Sequence, residues 1–229
     1  MNKKLKLGIL ILLSLSVYFI YQKTNHKKEN ILILGDNFSL GRNSYGIYDY
    51  SYIDYYKDSI EGKEVKLNKK YCQKDLTIQS LLEKIQTYPE IKRDLKEANL
   101  LFLNVGYTDL LYKLSLKEKI TPNLLNQILQ EIENEFQELQ KEISKYYKKK
   151  IIIIGYYSSK QKDYYQNQGI RGMNKIFQED SRNIYIDTES ILNKKEYFSN
   201  PSSYYPNRLG YQKVAEEIMR KTLEKSKNI

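Results

Sequence analysis

The sequence predicts an α/β protein, a three-layer α/β/α sandwich around a central parallel sheet of about five strands. Short apolar runs alternate with segments of helical period along residues 30–229, the pattern of a parallel sheet wrapped by helices. The runs at 99–105 and 150–154 are almost continuously apolar, as expected for strands covered on both faces. These two observations indicate the fold class.

The elements can be placed in chain order. The predicted strands are 30–34, 64–67, 99–105, 150–154 and 183–187, and the predicted helices include 76–85, 170–177 and 209–223. The clearest helix begins at Thr121 and Pro122, an N-cap followed by proline at the first helical position. Its apolar residues recur every three or four positions from Leu125 to Ile143. No internal repeat or long linker interrupts residues 30–229, which therefore form one domain.

The first 22 residues are predicted to anchor the chain in a membrane, and residues 23–29 to form a linker. Three lysines precede an uncharged run at 7–21, which as a helix would span about 23 Å, somewhat short of a hydrocarbon core of about 30 Å. Lys6 and Lys23 can reach the headgroups and supply part of the difference. A cleaved signal peptide is the alternative, but no A-x-A-like cleavage site follows the run. The flanking lysines put the N-terminus in the cytoplasm, giving a single-pass protein of the bacterial cell membrane with its domain on the extracytoplasmic side.

Charge and cysteine content limit the partners. The formal net charge is +10, but residues 30–229 carry only +5, too little to indicate nucleic-acid binding although compatible with an anionic surface or polymer nearby. The single cysteine, Cys72, excludes an intrachain disulfide and a cysteine-based zinc site. Carboxylates show no metal-ligand spacing. We expect no metal and no cofactor.

Three motifs resemble those of one hydrolase family. Residues 35–41, Gly-Asp-Asn-Phe-Ser-Leu-Gly, are similar to the Gly-Asp-Ser-x-x-x-Gly block of the SGNH (GDSL-type) hydrolases, which are esterases and lipases. Residues 106–110, Gly-Tyr-Thr-Asp-Leu, resemble the Gly-x-Asn-Asp-Leu block of that family. Residues 205–215 resemble its His-Pro-Asn-x-x-Gly-Tyr-x-x-x-Ala segment. The resemblance implies a flavodoxin-like sheet with a cleft at the carboxyl ends of its strands.

The catalytic positions differ from the family pattern. The resemblance puts Asn37 at the nucleophilic serine, Asp75 and Thr108 at the oxyanion-hole glycine and asparagine, and Ser202 and Tyr205 at the aspartate and histidine. An amide is not an acyl acceptor, and a phenol with a reference pKa near 10 is a poor base at neutral pH. The only histidine of the chain is His26, in the linker, so residues 30–229 hold no imidazole base. Loss of activity is the expectation.

Two functions remain open. The leading hypothesis is an inactive descendant that keeps the cleft as a binding or scaffold surface for a wall glycan, an acylated polymer or a partner protein. The alternative is an esterase or acyl-hydrolase with a non-standard nucleophile such as Ser39. The candidate cleft residues are Asp36, Asn37, Ser39, Thr108, Asp109 and Tyr205.

Tyrosines add a weaker signal. The six tyrosines of segment 45–56 either stack on sugar rings or pack the first helix, and packing is favoured. Tyr156 and Tyr157 follow the fourth strand and are expected to fill a loop surface.

Overall fold

One parallel sheet organises the molecule. The computed structural model describes residues 28–60, 64–158, 163–200 and 203–226. The strands are β1 (Glu29–Gly35), β2 (Val65–Asn68), β3 (Leu100–Asn104), β4 (Ile151–Ile154) and β5 (Ile184–Ile186). All pair in parallel in the order β2-β1-β3-β4-β5, which confirms the predicted five-stranded parallel sheet.

Helices cover both faces of this sheet. They are α1 (Tyr52–Asp58), α2 (Ile78–Thr87), α3 (Pro89–Glu97), α4 (Tyr107–Ser115), α5 (Pro122–Ser144), α6 (Tyr164–Glu179), α7 (Thr188–Ile191) and α8 (Arg208–Ser226). Helix α1 packs against α8, whereas α5 contacts α2, α4 and α6. Thr121 caps α5 as predicted, its side chain accepting a hydrogen bond from the Leu124 amide at 3.2 Å.

The core lies where the apolar runs predicted it. Every residue of β4 is buried, and so are Ile31–Leu34 in β1, because helices cover these inner strands on both sides. The edge strand β2 is only partly buried. The core therefore spans both faces of the sheet.

The predicted anchor, residues 1–22, lies outside the described residues, as does most of the predicted linker. In the part of the chain that the structure describes, no helix combines the length and the apolar character needed to cross a membrane.

Asn104 joins the carboxyl ends of three strands. From the end of β3, its side-chain amide donates to the carbonyl of Ile154 in β4 at 2.9 Å. Its backbone carbonyl accepts from the amide of Asp36, just after β1, at 3.0 Å. The loops that follow β1, β3 and β4 consequently start from a common, rigid edge, where ligand sites of open α/β sheets lie.

Candidate functional site

Asn37 holds the centre of this edge. Its side-chain nitrogen donates to Asp75 Oδ1 at 2.8 Å, and its oxygen accepts from the Tyr48 hydroxyl at 2.8 Å. The residue is buried apart from a surface that faces the cleft. An uncharged amide held at both ends offers no nucleophilic electron pair.

Asp75 adopts an unusual backbone conformation. Its φ is 53°, in the left-handed region that favours glycine, which agrees with its alignment to the family's oxyanion-hole glycine. Its side chain is 56% exposed, with Lys74 Nζ 3.8 Å away. A carboxylate here opposes a developing oxyanion rather than stabilising it.

Tyr205 lines the same cleft as Asn37. Burial and the nearby Asp36 carboxyl raise the pKa of Tyr205 to about 12, against the lowering effects of Asn37 and Arg42. The Arg42 guanidinium lies 5.1 Å from the centroid of the Tyr205 ring. The phenol is therefore neutral at pH 7 and cannot serve as a general base.

The structure contradicts the placement of Ser39 in the cleft. Ser39 is fully buried, with its Oγ 2.7 Å from the Tyr52 hydroxyl and donating to Asn104 Oδ1 at 3.3 Å. It packs directly over Gly35, where an added Cβ would lie 2.1 Å from the serine Oγ. The chain turns Ser39 toward the sheet, so no ester in the cleft could reach it.

Asp36 and Asp109 were also expected in the cleft, and both lie behind it. Asp36 is buried, with Oδ1 accepting from the Phe38 amide at 3.0 Å and Oδ2 from the Tyr156 hydroxyl at 2.6 Å. Burial raises the pKa of Asp36 to about 7.

Asp109 joins two helices. Both of its carboxylate oxygens accept from the Ile78 amide at 3.1 Å, so that a residue in the first turn of α4 satisfies the start of α2. Burial raises the pKa of Asp109 to about 6. Like Asp36, it positions backbone and does not touch a ligand site.

An open cleft of about 670 Å³ remains in front of Asn37. Thr108 and Tyr205 line it as expected, and Asp75 does so too. Aromatic faces come from Tyr107, Tyr112, Tyr204 and Tyr205, and side-chain amides from Asn37, Asn43 and Asn200. Ser202 lies outside the described residues.

Several residues near the site were not predicted from the sequence to lie there. Tyr156 is buried rather than at a loop surface, and its ring stacks on Tyr107 with centroids 5.4 Å apart. Tyr107 in turn meets Tyr204 edge-on at 5.5 Å. Tyr107 is three residues beyond the end of β3 and Tyr156 is two residues beyond the end of β4, and these positions could have indicated them.

The tyrosine-rich segment divides in two. Tyr52 and Tyr56 are buried in α1, as packing predicted, whereas Tyr45, Tyr48 and Tyr50 are exposed on the loop before it. The hydroxyl of Tyr48 donates a hydrogen bond to Asn37.

Neither a metal nor a cysteine nucleophile finds support. Within the described ranges, no three His, Cys, Asp or Glu side chains are grouped to hold a metal ion. Burial raises the pKa of the Cys72 thiol to about 12, so the reactive thiolate is not formed at neutral pH.

Three solved structures that are similar to this chain are a lipase, an esterase and a lipolytic protein. A lipase from a goat rumen metagenome superposes with a TM-score of 0.70 at 19% identity, covering 84% of this chain and 96% of its own. The acetylxylan esterase Axe2 from Geobacillus stearothermophilus gives 0.61 at 15% identity, covering 84% and 93%. A G-D-S-L-family lipolytic protein from Veillonella parvula gives 0.59 at 17%, covering 84% and 97%.

These similarities establish the fold. No family model and no curated protein sequence matches the chain. The protein has the SGNH/GDSL-hydrolase fold, as its three motifs predicted. The Axe2 structures include catalytic mutants in which a serine, a histidine or an aspartate is replaced by alanine. This chain offers no histidine beyond the linker.

Proposed function

We propose that this protein is a membrane-anchored, extracytoplasmic SGNH/GDSL-hydrolase-like domain that is catalytically inactive and binds a cell-wall glycan in its cleft. The observation that carries the proposal is the Asn37 amide, fixed between Asp75 and Tyr48 at the position of the family's nucleophile. Beside it stands a phenol with a pKa of about 12 in place of a base.

The three serine hydroxyls of the cleft do not replace the lost chemistry. Ser44 donates to the Tyr205 carbonyl at 2.8 Å, and Ser115 donates to the Tyr112 carbonyl at 2.7 Å. Ser203 accepts from the Tyr205 amide at 2.9 Å. Each hydroxyl is engaged with backbone, and an activated serine needs a base within hydrogen-bond reach.

The lining of the cleft favours a glycan as ligand. Sugar rings present apolar faces and many hydroxyls, which match tyrosine rings and side-chain amides respectively. Tyr112 is 62% exposed beside Leu111 and Thr108, so its ring is available for stacking. Acetylxylan esterase, which shares the fold, is named for a polymeric glycan.

Hydrolysis tests the inactivity. We expect the purified full-length chain to hydrolyse short acyl esters no faster than buffer alone. We also expect its rate to equal that of the matched variant Ser39→Ala. Turnover by the native chain that persists in Ser39→Ala would place an active nucleophile elsewhere and refute inactivity.

Binding tests the ligand. We expect titration calorimetry with solubilised wall polysaccharide to show an affinity that Tyr112→Ala lowers by roughly 2- to 13-fold, which corresponds to the loss of one stacking contact of about 0.5–1.5 kcal/mol. Tyr88→Ala is the control, because Tyr88 is 54% exposed and lies outside the cleft lining. Equal losses in both variants would exclude the cleft as the binding site.

A further inference from the structure

We propose that the amino edge of the sheet docks onto anionic phospholipid headgroups and holds the cleft away from the membrane. The contact surface is a lysine patch, formed by Lys141, Lys148, Lys149 and Lys150. The inference rests on the membrane anchoring of the proposed function, but not on what the cleft binds.

The patch surrounds a recess at the amino edge. This recess, of about 870 Å³, lies between the end of α5 and the starts of β4 and β5. Five cationic residues line the recess, namely the four patch lysines and Arg182. The acidic residues that line it are Glu133, Glu179 and Asp180. Arg182 already binds Asp180 at 2.8 Å, so the lysines outnumber the remaining acids.

Two of the four patch lysines donate hydrogen bonds to carbonyl oxygens. Lys148 Nζ donates to the Ser144 carbonyl at 2.6 Å, and Lys149 Nζ donates to the Ala98 carbonyl at 3.3 Å. These bonds orient the ammonium groups at the end of α5 without neutralising their charge. Phosphate groups of an anionic surface supply the missing counter-charge.

The chain enters the domain next to the patch. The Asn99 amide donates to the Asn30 carbonyl in β1 at 2.8 Å, and the Tyr147 hydroxyl donates to the Asn99 carbonyl at 3.3 Å. Strands β1, β3 and β4 are neighbours, so their starts lie within roughly 10 Å at about 4.8 Å per strand. Lys28, directly before β1, is therefore close to the lysine patch.

A short connection keeps this edge near the membrane. Six residues, 22–27, separate the uncharged run at 7–21 from Lys28, and they span at most about 20 Å. In physiological salt, screening limits the attraction between the lysines and the anionic headgroups to about 8 Å. Only the edge that the short connection keeps near the membrane is therefore attracted to the headgroups. Each lysine at an anionic surface favours contact roughly fivefold.

The opposite edge holds the cleft. Asn37, Asp75 and Thr108 follow the carboxyl ends of β1, β2 and β3, one strand length from the patch. A strand of five to seven residues spans roughly 17–23 Å. Docking by the amino edge thus points the cleft outward.

Lysine footprinting on the full-length chain tests the docking. The chain is reconstituted in nanodiscs of phosphatidylcholine, alone or mixed with phosphatidylglycerol, and labelled with a water-soluble amine-reactive ester. We expect the anionic lipid to reduce labelling of the four patch lysines at least fivefold, and high salt to restore it. Lys74 and Lys194, whose side chains are 65% and 63% exposed, lie outside the patch and serve as internal controls.

A variant and two soluble competitors test whether the lysine patch itself binds the anionic lipid. In Lys148→Gln/Lys149→Gln/Lys150→Gln, protection of Lys141 by anionic lipid should be lost. Equal labelling in both nanodiscs would overturn the docking while leaving the anchor intact. A chain that does not copurify with nanodiscs would refute anchor and docking together. Protection by inorganic phosphate or by a soluble acidic protein in neutral nanodiscs would assign the patch to that ligand and overturn the proposal.

Discussion

Asp36 is a buried carboxyl group, and its burial disfavours the ionised form. Desolvation raises its pKa, and the hydrogen bonds from Tyr156 and Phe38 only partly offset that effect. The group is thus protonated in the folded state over a pH range in which the unfolded chain is ionised. Its titration links the stability of the domain to pH.

The sign follows from the two pKa values. The pKa of Asp36 is about 7 in the folded chain, against an ordinary value of 3.8. Between about pH 4 and pH 7 the folded state therefore binds more protons than the unfolded chain. The contribution of Asp36 to stability falls as the pH rises through this range. Asp36→Asn removes this slope. We expect the unfolding free energy of the native chain, relative to the variant, to fall by a few kcal/mol over that range and then to level off. Urea titrations at a series of pH values measure it, and parallel profiles would contradict it.

At the scale of elements, Asp109 couples α4 to α2. The carboxylate stands where the first turn of α2 leaves a buried backbone amide, that of Ile78, without a partner inside the helix. The coupling positions Thr108, the neighbour of Asp109, at the cleft. Helix packing and site geometry therefore depend on one side chain.

Removing that side chain should cost stability. We expect Asp109→Ala to lower the free energy of unfolding by about 1–3 kcal/mol, because the Ile78 amide stays buried and unpaired. Asp109→Asn keeps an oxygen acceptor and should cost less. Asp163→Ala provides the exposed comparison, since Asp163 accepts from the Gln166 amide at 2.9 Å at the start of α6. Denaturant unfolding that gives equal losses for Asp109→Ala and Asp163→Ala would refute the role of burial.

At the scale of the whole molecule, the SGNH/GDSL-hydrolase fold carries other side chains at the positions that the motifs align with the reactive groups of the family. Asn37 and Tyr205 still line the same cleft, at the positions that the motifs align with the nucleophile and the base of the family. The loops remain joined by Asn104 across three strands. The departure from the family pattern is therefore in the side chains rather than in the architecture.

This predicts a gain of function. We expect Asn37→Ser combined with Tyr205→His to hydrolyse activated esters measurably, because a serine beside an imidazole restores nucleophile and base. Each single variant should stay at background, since either group alone lacks its partner. Initial rates for the two singles and the double decide it. A double variant no faster than either single would mean that the cleft no longer binds an ester productively.

Much of the fold was predictable because its signals are local. All five strands fall within two residues of their predicted ends, and α5 begins at its predicted cap. Helices α3, α4 and α7 were missed, since at four to nine residues they are too short to display a helical period.

By itself, the sequence determined the strands, the motifs at their ends, and the absence of histidine from residues 30–229. Only the tertiary structure decided that Ser39, Asp36 and Asp109 turn away from the cleft. It also decided that Asp75, 38 positions along the chain, and Tyr48 hold the Asn37 amide. The physical reason is that a motif places a residue at a strand end, whereas the direction of its side chain depends on contacts with distant segments.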